Sequence, residues 1–297
     1  MHAQREFTSD LPFIPASSIY EGERVADLDV RRAKAILGRN GHVLLRGFVR
    51  DLREFERLTR RFSKRFRVHG NPHRVWASAD GQTQAVDPGA SALPAHSEMS
   101  YNPHYPDTLW FYCLSPSPRG GETTLCDGIS VLDAFDPRVR EFFLTKRIEY
   151  RHTYEKEAWS RALRTSRVTL ARIKLFALTL LFRRRGKVMG FSFDQAERLH
   201  VQYVTSACTR ESTGRWAFAN SVEISLMPKG GGVCLEGGAP IPNDILEAVR
   251  NTTNRLSRRV PWRSGDVLMI DNTRVMHGRV SIPPGERRIF LRLGDIR

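Results

Sequence analysis

The sequence is poor in cysteine and has no long apolar run. Its four cysteines form no Cys-x-x-Cys pair, and small structural zinc sites are commonly built from such pairs. We therefore expect no zinc site, and we expect Cys113, Cys126, Cys208 and Cys234 to be reduced and buried. The most apolar stretch covers only residues 175–182, whereas a helix needs roughly 20 apolar residues to cross a bilayer. A transmembrane segment is therefore not expected.

The first residues, MHAQREFTSDLPF, lack the apolar core of a secretory signal. With neither a signal nor a membrane span, the expected location is the cytoplasm. The composition, with 40% hydrophobic and 27% charged residues, excludes a disordered chain. A length of 297 residues is enough for one large domain or two small ones.

Acidic residues are absent between Glu157 and Asp194, within a chain whose net charge is +15. The basic residues of this interval are Arg161, Arg164, Arg167, Arg172, Lys174, Arg183, Arg184, Arg185 and Lys187. The pattern predicts one or two basic amphipathic helices. Their exposed face has three possible roles: solvation alone, docking onto an acidic partner, or contact with a membrane surface. Net charge attracts anions of every kind and does not choose among these roles.

Strand patterns lie near both ends of the chain. Residues 42–48 (HVLLRGF) and 265–271 (GDVLMID) are short apolar runs bounded by turn residues, and residues 288–293 alternate polar and apolar side chains. Helical spacing occurs between these runs, for example over residues 241–260. This order predicts a mixed α+β fold with a β-rich core, and it argues against a doubly wound parallel sheet.

One group of residues has the composition of a non-haem iron site. His96 and Glu98 are two positions apart, so on extended backbone both side chains point to the same side. His277, just beyond the GDVLMID segment, is the best third ligand. Two histidines and one carboxylate on one face of an octahedron leave three positions open, which suits Fe(II) with a bidentate co-substrate and O₂. His-x-Glu alone is a weak signal, and the combination is more specific.

A dicarboxylate co-substrate also needs a cationic anchor for its far end, because an unpaired buried carboxylate is costly. Arg288 follows His277 by eleven residues, on the next strand candidate. A turn between the two would make their strands antiparallel neighbours. Arg287 and Arg292 lie in the same segment and are the alternative anchors.

Four segments together resemble the taurine dioxygenase (TauD/TfdA) family of Fe(II)- and 2-oxoglutarate-dependent enzymes. They are LPAHSEMSYNPHYP, GGETTLCD, GDVLMIDNTRVMHGR and GERRIFLRLG. Within the family, the likeness is closest to the branch of syringomycin-type amino-acid hydroxylases. It extends over residues 41–294 and is loose between 154 and 222.

The resemblance implies a double-stranded β-helix (jelly-roll) core with flanking helices, in one domain over residues 1–297 with a basic helical insertion at about 155–204. It implies that His96, Glu98 and His277 bind the iron. It further implies that Arg288, assisted by the hydroxyl of Thr123, binds the far carboxylate of 2-oxoglutarate. Arg292 matches the position at which taurine dioxygenase holds its anionic substrate, so the resemblance implies a substrate role for Arg292.

The same resemblance implies an oxygenase reaction that consumes O₂ and yields succinate and CO₂. Halogenating relatives lack the metal carboxylate, so Glu98 favours hydroxylation; desaturation, epoxidation and cyclisation remain open. The expected substrate is an amino acid or related small carboxylate of secondary metabolism. The runner-up is an aminoacyl group tethered to an acidic carrier protein.

Two other functions are disfavoured by the sequence. A nucleic-acid demethylase needs aromatic residues along a basic groove, but the aromatic residues 110–112 lie in an apolar run typical of a core. No nucleic-acid partner is therefore expected. An inactive jelly-roll binding module would lack a metal ligand, whereas all three candidates are present.

Overall fold

Strands and helices are mixed along the chain in the computed structural model. It describes residues 11–69, 75–78, 80–86, 89–184, 187–211, 213–227, 231–282 and 287–296. Within those ranges lie eight α-helices, two short 3-10 helices and seventeen strands. The mixed helix-and-strand class predicted from the sequence is confirmed. No helix in these ranges is long and apolar enough to cross a membrane.

The first four of the eight described helices each follow an aspartate whose carboxylate caps the first turn. They are α1 Val30–Asn40, α2 Leu52–Arg60, α3 Gly128–Ala134, α4 Pro137–Thr145, α5 Lys156–Leu163, α6 Val168–Arg183, α7 Val222–Ser225 and α8 Asn243–Leu256, with 3-10 turns at Ala16–Ser18 and Val25–Asp27. Side-chain caps are clear at α1 and α2, where the carboxylates of Asp29 and Asp51 accept hydrogen bonds from backbone N–H groups of the first turn.

The strands are short, apart from four of eight residues. They are β1 Ile19–Glu21, β2 His42–Arg46, β3 Arg65–Arg67, β4 Gln84–Ala85, β5 Leu93–His96, β6 Thr108–Ser115, β7 Thr123–Asp127, β8 Arg147–Tyr154, β9 Val188–Phe193, β10 Leu199–Ser206, β11 Cys208–Arg210, β12 Trp216–Phe218, β13 Gly232–Leu235, β14 Arg258–Arg259, β15 Val267–Asp271, β16 Val275–Arg279 and β17 Arg288–Asp295.

Two sheets enclose the central core. The larger has the strand order β1-β2-β15-β6-β17-β3, with β4 also on β17, and the smaller has the order β14-β7-β16-β5. One buried apolar cluster takes side chains from both sheets, including Phe111 and Leu268 from the larger and Leu125 and Val275 from the smaller. The two sheets therefore pack face to face.

Further layers cover the outer faces. Helices α1 and α2 contribute to a second cluster against the larger sheet, where Trp110 and Tyr112 are also buried. Beyond the smaller sheet lie α3, α4 and α8, together with a sheet of order β13-β8-β10-β9. The segment predicted as a basic helical insertion at about 155–204 contains α5 and α6, but it also supplies β9 and most of β10 to that sheet.

The structure also decides two smaller points. All four cysteines are free and buried, as predicted.

The expected antiparallel pairing of the strands of His277 and Arg288 is wrong. β16 lies between β7 and β5 in the smaller sheet, and β17 lies between β6 and β3 in the larger. The connection between them crosses from one sheet to the other.

His42, a buried histidine in β2, should make the free energy of unfolding depend on pH. Burial lowers the pKa of His42 from 6.5 to about 4, so the unfolded chain takes up a proton at higher pH than the folded protein does. The stability that neutral, buried His42 permits is therefore fully present well above pH 6.5 and is lost progressively as the pH decreases toward 4. The full difference corresponds to about 3 kcal/mol, of which about 2 kcal/mol is lost at pH 5.

The check is urea unfolding of the wild-type protein and His42→Gln near pH 7 and about pH 5. We expect the free energy of unfolding of the variant to fall less between the two conditions, because glutamine does not titrate. An identical fall in both proteins would assign the acid sensitivity to other groups.

Candidate metal and co-substrate site

Strand register brings the two predicted metal histidines together. His96 is the last residue of β5, and it lies directly opposite His277 of the antiparallel strand β16. Their rings are 4.3 Å apart between centroids. Both side chains are buried, and Phe111 from the larger sheet packs on the His277 ring at 5.2 Å. The pair therefore faces the interior between the two sheets.

Glu98 reaches the same point from a turn. The strand ends at His96, and Met99 has a positive φ of 59°, a conformation that non-glycine residues seldom adopt. Asn272 holds this turn: its side-chain oxygen accepts from the Glu98 N–H at 2.8 Å, and its amide group donates to the carbonyl of Glu98 at 3.0 Å and to that of Pro106 at 2.8 Å. The carboxylate is positioned by this clamp and not by strand alternation.

The three side chains have the geometry of a metal site. Their ligand atoms all lie within 4.8 Å of one another. One Glu98 oxygen is 3.4 Å from Nε2 of His277 and 3.7 Å from Nε2 of His96. Nδ1 of His96 is 2.9 Å from the carbonyl of Pro94, so that nitrogen is the donor and Nε2 is the coordinating atom. Two imidazoles and a buried carboxylate converging on one point fit Fe(II).

His69 is a fourth member of the site that the sequence analysis missed. Its Nε2 is 3.3 Å from the other carboxylate oxygen of Glu98 and 3.3 Å from the hydroxyl of Tyr101. The Gln84 side chain holds the His69 backbone at both its N–H and its carbonyl. His69 stands before a Gly- and Pro-rich stretch with no spacing relation to the other ligands, so the sequence contained no signal for it.

The guanidinium of Arg287 lies beside Thr123, farther along the interior between the sheets than the metal cluster. Thr123 of β7 is opposite Arg279, two residues beyond His277 on β16, a step of about 7 Å. The Thr123 hydroxyl oxygen accepts from the indole N–H of Trp262 at 3.1 Å and from the guanidinium of Arg287 at 3.3 Å. We call Thr123, Trp262 and Arg287 the anion end of the site.

The charge of Arg287 favours an anion at this position. Burial, with Arg279 nearby, lowers its pKa to about 10. Within the described residues its guanidinium forms no ion pair with a carboxylate, in contrast to Arg259, which pairs with Glu122. Arg287 is partly buried, and a cation in such a position is stabilised by an incoming carboxylate, which can accept a charge-assisted pair of hydrogen bonds.

The two other predicted arginines lie elsewhere. Arg288 is exposed at the start of β17. Arg292 is fully buried, but it stacks on Phe66 at 4.2 Å and donates to Thr83, Asp80 and Gln82. Both lie on the face of β17 that points away from the core between the sheets. The structure therefore brings Thr123 to the site and does not bring Arg288 or Arg292.

The clamp on Glu98 gives a prediction of its own. Asn272→Ala removes three buried hydrogen bonds and leaves two carbonyl groups and one N–H without this partner. We expect a loss of about 2–4 kcal/mol in unfolding free energy and about 10–100-fold weaker iron binding. Thermal unfolding and iron titration measure the two effects. Asn254→Ala in α8 is the matched control; the same losses there would show that the clamp has no special role.

Comparisons with known proteins identify the family of this chain. The family profile described as taurine catabolism dioxygenase TauD, TfdA family matches residues 8–293. The dapdiamide synthesis protein DdaC of Enterobacter agglomerans is 25% identical over 286 residues, covering 88% of this chain and 84% of that protein. A clavaminate synthase-like protein of Arabidopsis thaliana is 24% identical over 297 residues, covering 92% of this chain and 88% of that protein.

Two solved structures share the fold. A structure described as an alpha-ketoglutarate-dependent taurine dioxygenase from Burkholderia xenovorans has a TM-score of 0.64 at 13% identity, covering 96% of this chain and 92% of that one. The PvcB protein from Pseudomonas aeruginosa has a TM-score of 0.59 at 16% identity, covering 93% of this chain and 84% of that one. Another PvcB structure is described as an Fe, alpha-ketoglutarate dependent oxygenase from an isonitrile synthetic pathway.

Proposed function

The chain belongs to the TauD, TfdA family of Fe(II)- and 2-oxoglutarate-dependent dioxygenases, and we propose that it hydroxylates an unactivated C–H bond of an amino acid or related small carboxylate in secondary metabolism. In this proposal His96, Glu98 and His277 bind the iron, and Thr123 and Arg287 bind the far carboxylate of 2-oxoglutarate. The observation that carries it is the triad of ligand atoms within 4.8 Å of one another, with the guanidinium of Arg287, which has no ion pair among the described residues, beside Thr123.

The fold supports this assignment of roles. We infer that the two facing sheets form a jelly-roll core and that the whole chain is one domain, with α5 and α6 as an added basic segment. His277 and Arg279 share one face of β16, and Thr123 lies opposite Arg279 on β7. A dicarboxylate extending along this face would have its far end between the two sheets, because Thr123 lies on β7 of the smaller sheet and Arg287 precedes β17 of the larger.

The bound iron and 2-oxoglutarate supply the oxidising power, with O₂ consumed and succinate and CO₂ released. The chain contributes position and exclusion of water. Buried side chains line the cluster, and Phe111 closes one side of it. Glu98 occupies the ligand position that a halide would need, so hydroxylation is favoured over halogenation. His69 approaches Glu98, and the hydroxyl of Tyr101 lies in turn against His69; we propose that the substrate enters on the side of these two residues.

The names of the relatives support an amino-acid or small carboxylate substrate in natural-product synthesis. DdaC is a dapdiamide synthesis protein, and PvcB comes from an isonitrile synthetic pathway. Both concern small molecules. The excess of positive charge on this chain suits a substrate that bears a carboxylate.

The test is succinate formation from 2-oxoglutarate in the presence of Fe(II) and a panel of amino acids, followed by mass spectrometry of the panel. We expect one class of substrate to raise succinate formation and to gain one oxygen atom. Chloride incorporation, or stimulation by methylated nucleic acid alone, would contradict the proposal. A Glu98→Ala preparation is the control for succinate formed without the site.

A carrier-tethered substrate remains the alternative prediction. It is examined with the same panel loaded on an acidic carrier protein, comparing rates on free and tethered forms. Faster turnover of every tethered form would replace the free amino acid by the carrier-bound one. The iron-binding residues have the same roles in both cases.

A further inference from the structure

Helix α6 is apolar on two opposite faces. Its inner face buries Ala171, Leu175 and Phe182, against α5, β9 and the ring of His104. The outer face exposes large apolar side chains that recur every three or four residues. They are Leu170, Ile173, Phe176, Leu180 and Leu181. A helix that is apolar all round is ordinarily covered on both sides, so we expect the outer face to have a binding partner.

The size of this face is unusual for a free surface. Ile173 and Phe176 are 61% and 60% exposed, and the sixteen residues of α6 extend over about 24 Å. Scattered single apolar residues are normal on a protein surface, whereas a continuous stripe indicates a protein or membrane contact. We call Leu170, Ile173, Phe176, Leu180 and Leu181 the α6 stripe.

The charged residues beside the α6 stripe in the described part of the chain are all cations. With about 100° between successive residues, Arg172 and Arg183 fall on one side of it and Lys174 on the other, and Arg184 follows its end. No acidic residue occurs from residue 158 to residue 193. In the described part of the chain, none of these four cations forms an ion pair, although Lys174 also donates to the carbonyl of Leu163.

We propose that the α6 stripe is a docking surface for an anionic lipid membrane. α6 packs on β9 and leaves its other face exposed, so its apolar side chains are accessible to a lipid headgroup region. Apolar residues at the apex with cations on both flanks are the arrangement of helices that lie in the membrane interface. The flanking side chains are then level with lipid phosphates, where each cation adds to binding.

Two other occupants are disfavoured by charge and shape. A symmetric contact with a second copy would bring Arg172, Lys174 and Arg183 of both copies together, in a chain of net charge +15. An acidic protein would need a groove as long as α6 with carboxylates along both edges. The membrane proposal does not depend on the oxygenase function, because α6 lies outside the metal and co-substrate residues.

The experiment is co-sedimentation of the full chain with vesicles of phosphatidylcholine alone and of phosphatidylcholine with phosphatidylglycerol. We expect binding to the anionic vesicles only, and weaker binding at high salt. Phe176→Asp should reduce the partition coefficient by at least about tenfold, because an exposed apolar residue at the centre of the stripe is replaced by an anion. Leu144→Asp is the matched control: Leu144 is exposed on α4, and this variant should bind like the wild-type protein.

A charge variant separates specific docking from general attraction. Arg172→Glu with Arg183→Glu should weaken binding more than the same change at Arg255 and Arg258, two exposed arginines at the end of α8 and in β14. Failure of the wild-type protein to bind anionic vesicles, or equal binding by Phe176→Asp, would overturn the proposal. A dimer that Phe176→Asp dissociates, or a loss restricted to carrier-loaded substrate, would assign the α6 stripe to another protein surface instead.

Discussion

His277→Ala is expected to abolish turnover and to weaken iron binding by more than about 100-fold. Replacing even a residue that only orients a metal ligand lowers metal affinity or activity by about 10–100-fold, so the loss of a ligand should cost more. His277 supplies one of three ligand atoms, and its Nε2 is 3.4 Å from the Glu98 carboxylate. Without it, His96 and Glu98 provide two ligands, and a facial set of three is no longer available.

The measurement is iron titration of the anaerobic apoprotein, together with succinate formation under saturating 2-oxoglutarate. His200→Ala is the control, since His200 is partly exposed on β10 and outside the cluster. Thermal unfolding of both apoproteins shows whether the variant still folds. A folded His277→Ala protein that binds iron as tightly as the wild-type protein would remove His277 from the site.

The motifs predicted the chemistry because metal chemistry restricts residue type severely. Histidine and carboxylate are the residue types that such an iron site requires, and His96, Glu98 and His277 supply them. The family match confirms the dioxygenase assignment and its iron and 2-oxoglutarate cofactors. The sequence could not supply the strand register that sets His96 opposite His277, since register depends on contacts between distant segments. The clamp by Asn272 was equally hidden, because it lies 174 residues from Glu98.

The choice between neighbouring arginines shows where spacing is a poor guide. A spacing of eleven residues selected Arg288, yet the alternation of β17 already held the opposite signal. Ile289, Leu291 and Leu293 face the core between the sheets. Alternation continued one residue before the strand would place Arg287 on their face, and the structure has its guanidinium against Thr123. Side-chain alternation is local physics, whereas a residue count across a turn depends on the turn's length.

The sequence alone could not identify which face of α6 is exposed. The sequence predicted basic amphipathic helices but left the exposed face undefined. The structure shows that one apolar face, with Ala171 and Leu175, is buried on the side of β9, and that the second apolar face is exposed. A helix wheel alone cannot identify which of two apolar faces is buried, since both satisfy the same period.

Arg287→Ala is expected to raise the 2-oxoglutarate concentration required for half-maximal rate by roughly 100-fold or more. Removing one partner of a buried ion pair costs about 3–5 kcal/mol, and each 1.4 kcal/mol is about tenfold in affinity. We take the lower part of this range, because Thr123 and Trp262 remain to bind the carboxylate. The rate at saturating 2-oxoglutarate should change much less, since Arg287 is remote from the metal ligands.

Arg288→Ala is the matched control, because it removes the same side chain one position away. Arg288 is exposed, so the requirement for 2-oxoglutarate should stay within about twofold of the wild-type value. Arg287→Lys keeps the charge but loses the bidentate fork, and an intermediate requirement is expected. The reverse order, with Arg288→Ala the more severe variant, would mean that β17 presents its other face to the co-substrate. That result would remove Arg287 from the proposed co-substrate site, although its guanidinium donates to Thr123.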